Sequence, residues 1–540
     1  LVRIFMSEYQ PVKYFNTKLR NISFGIKESI FFAIILNWSA ISLLFSNFLL
    51  SFKSKNISQI WSLLFLITSG LFLSLSTVIY NSLEFRFLLA TSIVFFITCY
   101  DCYRNQFYDN LLIHISNSGY IGLAFYFVLM KYNPEEFPNI WKDVIPSAPQ
   151  TFDILILCLV FQNVGYYIVW NLFFTNLNFD KWSVSPKNLI NLSFIENSYH
   201  QNILFIALCV LGSITRLWNF SQGSIYYTQG SAIPSSVGSL LAQFDRLYVV
   251  AWLYGYTFLL QTGLKKNVVS YLTSILIIVE LIYQLFSGSK GRFFSFVIKP
   301  VATIFIFRRL RVSWIAVIIL LALGIFSWLL LYPTLVIYRD LLKTSTSLNS
   351  VELLAQSFQI LLKNYSWDKY IETILIPLNE SGITEQVIAM TSIVHYQVSQ
   401  ESSWFWQRLF LFWVPRFLWS DKPESLDINL IGRLTHRISS EDFQTSVLIT
   451  APGEIFLYYG FWGCALMIIP GLLFRWLNDA ISPFKVYTFF RLAVMVAYLP
   501  LIQDSVGGTF EAGLTGIVMQ IGVLYLILLL VKITLQKNWV

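Results

Sequence analysis

At 540 residues the chain is 56% hydrophobic and 17% aromatic but only 12% charged, roughly half the charged share of an ordinary soluble domain, about 25%. With a mean hydropathy of +0.62, this excludes a water-soluble protein and marks an all-α polytopic integral membrane protein. The net charge of +8 does not imply nucleic acid, because Lys and Arg concentrate in short turns between apolar runs, where the positive-inside rule puts them.

Runs long enough to cross a hydrocarbon core of about 30 Å recur at 30–51, 60–80, 85–100, 110–130, 152–174, 203–219, 243–262, 268–287, 293–308, 313–335, 453–475, 486–502 and 513–533. They amount to about 12–14 transmembrane helices. Residues 1–29 are a polar N-terminal segment, 30–335 carry the first ten helices, 336–451 form one large loop, and 452–540 carry the last helices. No cleavable leader is visible ahead of the first run, so that helix is expected to act as its own insertion signal.

The turns holding Lys181 and Lys187, Lys265 and Lys266, Arg308, Arg309 and Arg311, Arg475 and Lys485, and the tail with Lys532 and Lys537, alternate along the chain. Read as cytoplasmic, they place the large loop outside. Counting back puts the basic N-terminus (Arg3, Lys13, Lys18, Arg20, Lys27) outside as well, against the same rule, so one early span is miscounted or missed. Residues 131–150 (KYNPEEFPNIWKDVIPSAPQ) read as an external loop, and 220–240 as a Gly- and Ser-rich segment able to re-enter the membrane only beside a cavity. QDSVGGTFEAG, residues 503–513, is expected to break the last helix pair on the outer side.

Within the large loop, nine Lys and Arg face twelve Asp and Glu between Arg339 and Pro452. The stretches 351–364 and 402–419, the second strongly aromatic, are expected as helices lying on the outer leaflet. The five cysteines fall mostly in apolar segments. Cys99 and Cys102 form a lone C-x-x-C and read as helix-end thiols, so neither a disulfide framework nor zinc is expected.

Three groups could carry chemistry. SGSKGR, residues 287–292, puts Lys290 and Arg292 in an external turn, where they would meet a phosphate or pyrophosphate, or serve as an interfacial anchor on lipid headgroups. Arg216 and Arg246 lie within or at the ends of spans. Charges there face a cavity or pair between helices, with Asp245 beside Arg246, and Glu280 in the eighth span reads as a packing or gating residue. The loop adds Arg416, Lys422, Arg433, His436 and Arg437, followed by Glu454 where the chain returns to the membrane. Arg433, His436 and Arg437 stand at i, i+3 and i+4, so a helix would present them on one face able to hold an anion and move a proton, or merely to meet water and Glu441. The phosphate-binding, zinc-protease, serine-hydrolase and dinucleotide motifs are missing, and no paired Asp suggests a metal.

SGSKGR after a helix, VPRFLWSDKPES at 414–425 and APGEIFLYYGFWGCALMIIPGLLFRW at 451–476 together resemble the Wzy-type oligosaccharide repeat-unit polymerases that make O-antigen and exopolysaccharide. The matching positions are Lys290 or Arg292; Pro415, Arg416, Phe417, Lys422 and Pro423; and Pro452, Glu454, Tyr459, Gly460 and Gly463. They cover the second half of the chain, and Lys290 stands where an arginine is commoner. The resemblance implies a GT-C-like fold in the bacterial cytoplasmic (inner) membrane, and a glycosyltransferase that uses no metal or other cofactor. It would polymerise undecaprenyl-pyrophosphate-linked repeat units at the outer face. Its substrate-binding set would be Arg216, Arg246, Lys290, Arg292, Arg416, Lys422, Arg433 and Arg437, with His436 or Glu454 as base. Membrane lipid and a flippase and chain-length regulator of the same pathway are the implied partners. An O-antigen ligase shares this layout, whereas a transporter would be expected to show related halves and helices broken at the midplane.

Overall fold

The computed structural model describes residues 82–104, 110–132, 139–171, 198–221, 236–262, 268–286, 332–344, 350–363, 382–399, 428–441, 449–481 and 489–537, with isolated positions at 134, 296, 299–300, 302–304 and 405–406. The expected spans at 30–51 and 60–80, nearly all of 293–335, and the turns bearing Lys290, Arg292, Arg416 and Lys422 lie outside the described residues.

Among the described residues the chain is helical and contains no strand. In chain order the helices are α1 (Leu83–Tyr103), α2 (Leu111–Tyr132), α3 (Asn139–Val144), α4 (Ala148–Val164), α5 (Ser198–Ser221), α6 (Ser236–Thr262), α7 (Val268–Phe286), α8 (Tyr332–Thr344), α9 (Ser350–Lys363), α10 (Gly382–His395), α11 (Ile428–Leu434), α12 (Ala451–Tyr459), α13 (Ile468–Ile481), α14 (Phe489–Gly507) and α15 (Phe510–Lys537). Among the described residues four stretches are long and apolar enough to cross a membrane: Leu83–Asp101, Leu111–Tyr132, Ile140–Val169 and Ala451–Asp479. Side chains such as Trp462 (90% exposed), Leu217 (70%) and Tyr271 (60%) stand outward, which suits lipid rather than water.

The segment 131–150 is not the loop its prolines suggested. It contains α3, a 3₁₀ turn at Ile145–Ser147 and the start of α4, with a proline at the first or second position of both the turn and α4. Proline has no N–H to lose there and its fixed φ already matches a helix. Trp141 seals this corner, fully buried, with Nε1–H donating to Met130 O at 3.0 Å.

The α2–α4 interface is held by a polar seam inside the bundle. Asn117 and Asn163 donate to each other's side-chain oxygens at 3.1 and 2.9 Å, Gln162 donates to Ser116 Oγ at 2.8 Å, and Tyr120 donates to Gln162 at 3.3 Å. Away from water such bonds specify which helix faces meet, at about 0.6 kcal/mol each on average. Beyond the seam, α4 continues through a π-helical turn at Gly165–Val169 and crosses α13 at two glycines. A Cβ on Gly471 would stand 2.1 Å from Gln162 O, and one on Gly165 would stand 2.4 Å from Ile468 O. Only glycine lets the two backbones approach this closely.

Two buried apolar clusters flank this crossing. One joins α5, α6, α14 and α15; the other joins α1, α2, α4, α10 and α12. Helix α10, from the large loop, belongs to the second: Val387, Ile388, Ala389 and Ile393 are fully buried. The loop therefore inserts a helix between α2, α3, α4 and α12. Phe405, expected on the leaflet, is also buried, its ring against Tyr458, Tyr459 and Phe510.

Candidate functional site

Ser147 Oγ lies 3.0 Å from His395 Nδ1, so α10 docks at the end of the bundle that carries the 131–150 segment, the end expected outside. Helix α10 is also the support on which α11 and α12 meet. Thr450 Oγ1, before α12, lies 3.4 Å from Met390 Sδ, and Arg437, after α11, donates from Nη1 to Glu385 O at 2.7 Å.

Helix α12 starts where the sequence signals a start. Thr450 is extended (φ −80°, ψ 157°), its hydroxyl oxygen accepts from Gly453 N at 3.1 Å, and Pro452 sits in the first turn. This satisfies a backbone donor that the helix itself cannot. Glu454 follows in that turn and is fully buried. Gly460, at φ +59°, ends α12, and a 3₁₀ segment at Gly460–Met467 carries the chain into α13. A Cβ on Gly463 would stand 2.5 Å from Ile455 Cγ2 and 2.6 Å from Ile455 O, so only glycine fits there. The glycines of this stretch thus build a break inside a membrane-length element.

The cation group is arranged differently from the expectation. Helix α11 ends at Leu434, so only Arg433 is helical, and His436 and Arg437 do not share a helical face with it. The chain turns at His436, φ +56°, with His436 N donating to Arg433 O at 3.0 Å and Arg437 N to Gly432 O at 2.8 Å. These two bonds define a Schellman cap with His436 at the left-handed position. His436 is exposed and its ring meets Tyr396 edge-on, centroids 5.0 Å apart. Burial pulls the Arg437 guanidinium down from its ordinary pKa, while the Glu385 carboxylate pushes it back up.

Arg216 and Arg246 sit elsewhere. On α5, Arg216 is 5% exposed and grips Glu280 of α7 with Nη2 at 2.8 and 3.1 Å from its two oxygens; Gln284 donates to Glu280 at 2.6 Å. Its guanidinium carbon lies 3.8 Å from the centroid of Tyr283 and 5.2 Å from that of Tyr248. Arg246 donates to Ala497 O of α14 at 3.1 Å. The structure does not bring either arginine to the α10–α12 corner: Arg216 ties α5 to α7 and Arg246 ties α6 to α14. A packing part for Glu280 agrees with this placement.

A buried polar cluster at the opposite end went unread in the sequence. Asp101, fully buried on α1, accepts from Tyr167 and lies 2.8 Å from His114 Nε2 of α2. Beside it Asn110 Oδ1 accepts from Tyr166 at 2.8 Å and from Arg475 at 3.0 Å, and Arg475 pairs with Asp479 at 3.5 Å. The π-helical turn sets Tyr166 and Tyr167 side by side toward these groups. An Asp and a His within otherwise apolar runs was the available signal. Comparison with protein-family profiles, with curated proteins and with solved structures finds no match.

Proposed function

We propose that this chain polymerises lipid-pyrophosphate-linked oligosaccharide repeat units at the outer face of a bacterial cytoplasmic membrane, as the resemblance of its motifs to Wzy-type polymerases implies. The observation that carries the reading is the gathering of His436, Arg437 and the Glu454 helix start around one buried loop helix, at the end expected outside. A glycan polymerase working on membrane-bound donor and acceptor needs such a corner next to the lipid, with a group open to the substrate.

In the proposed reaction an acceptor hydroxyl attacks the anomeric carbon of the growing glycan. The bond from that carbon to the carrier's pyrophosphate oxygen breaks, the pyrophosphate leaves with the electron pair, and the hydroxyl proton passes to a base. His436, exposed, suits the base better than enclosed Glu454, whose place at the start of α12 suits holding that corner in shape. Lys290, Arg292, Arg416 and Lys422 supply positive charge for the departing pyrophosphate. No general acid is needed, because pyrophosphate leaves well as the anion.

Alanine at Arg416, and at Lys290 together with Arg292, tests this. Each change is expected to cut polymer yield about 100-fold or more if it removes a charge-stabilising donor, with the protein still present in membranes at wild-type level. Undiminished polymer in normally expressing cells would sink the reading. Polymer that accumulates on its carrier without transfer to its final acceptor would mark a ligase instead.

A further inference from the structure

Two non-glycine residues among those described hold a left-handed backbone, Gln397 at φ 49° and His436 at φ 56°, and they meet at one spot. Both are the left-handed residue of a Schellman cap. Helix α10 ends with Gln397 N bonded to Val394 O at 3.3 Å and Val398 N to Ile393 O at 3.1 Å, the same pattern that ends α11. Glycine would hold both positions without strain, so the side chains are retained at a cost, and such outliers concentrate where side chains have work to do.

Between these two strained ends stands Tyr396, edge-on to His395 (4.9 Å, 87°) and to His436 (5.0 Å, 72°). Gln397 and His436 are exposed, while Tyr396 and His395 are half-buried, His395 being anchored by Ser147. The C-termini of α10 and α11 both end here, bringing two negative dipole ends to one ledge, although the capping bonds already occupy the carbonyls of Ile393, Val394, Gly432 and Arg433. That field disfavours an anion such as pyrophosphate, and the nearby Arg437 is turned to Glu385 O. It favours a neutral ligand rich in hydroxyl donors. An aromatic ring for C–H faces, an amide and imidazoles are what a sugar ring can use.

We propose that Tyr396, Gln397 and His436 form a saccharide subsite that seats the acceptor sugar beside the base, an assignment that rests on the polymerase reading above. The repeat-unit oligosaccharide, released from its lipid carrier and from the producing strain's own glycan, is the probe, titrated against purified full-length protein in detergent. Gln397→Gly removes the amide and relieves the backbone, so its melting temperature is expected to hold or rise while affinity falls roughly 3- to 10-fold, the loss of one neutral hydrogen bond. Tyr396→Ala is expected to weaken binding more than Tyr396→Phe, which keeps the ring. Wild-type protein that does not bind the oligosaccharide, or folded variants that bind it as wild type does, would overturn the subsite. Binding that depends on these residues, in a protein whose deletion leaves the surface glycan unaltered, would uphold the subsite and refute the polymerase reading.

Discussion

Glu280→Ala is expected to remove most of the folded protein from membranes. The change leaves the Arg216 guanidinium, 5% exposed, without the carboxylate that now grips it at 2.8 and 3.1 Å. Breaking a buried pair from one side costs about 3–5 kcal/mol, because the remaining charge is still desolvated. Against a total stability of about 5–15 kcal/mol, that is a large share. The Tyr283 and Tyr248 faces stay beside Arg216 and offset only about 0.5–2 kcal/mol of it. Removing both charges together, Arg216→Met with Glu280→Leu, is expected to restore folding to near the wild-type level, since an apolar pair of similar volume leaves no orphan charge. Size-exclusion profiles of detergent-solubilised protein read both results, and a single variant as monodisperse as wild type would contradict the account. The double variant also decides the part of Arg216: polymer made by a folded protein lacking it leaves the residue no place in substrate binding.

Gly471→Val is the second large effect. Its first side-chain carbon would stand 2.1 Å from Gln162 O and 3.0 Å from Tyr166 N, both backbone atoms of the facing element. Nothing flexible can yield, so α13 and α4 must part. The overpacking alone costs about 1–3 kcal/mol, and parting the helices also pulls Arg475 from Asn110 and strains the seam at Gln162. The expected result is a sharp drop in melting temperature in detergent. Gly122→Ala and Gly522→Ala are the controls, for a Cβ at either would meet nothing within 4 Å, and alanine there is expected to stabilise its helix by about 0.5–1 kcal/mol. Equal melting temperatures for Gly471→Val and the controls would show that the helices do not cross at Gly471.

Helices α1, α2, α4 to α7 and α12 to α15 were legible because apolar runs of membrane length carry their own signal. Segment 139–147 was not legible as helix, since proline at a helix start and proline in a loop look alike in sequence. The common face expected for Arg433, His436 and Arg437 failed for a related reason. Spacing says that residues would align if a helix continued, and the stop at Leu434 has no glycine after it to announce it; His436 itself takes the left-handed turn. Helix α10 was missed because buried and interfacial helices share a composition. Glu280, the partner of Arg216, and Tyr167, one partner of Asp101, come from elements distant in the chain, and a single sequence gives a charge in a span without naming its mate. For Glu280 the sequence left packing and gating open, and the residue that holds it, Arg216, could not be named from spacing.

The most direct test of the central proposal is the surface glycan of the producing strain with this gene deleted, run on a gel beside its parent. The polymerase account predicts that the ladder disappears while a single repeat unit remains attached to its acceptor, and that expressing the intact gene restores the ladder. A ladder unchanged by the deletion would contradict it.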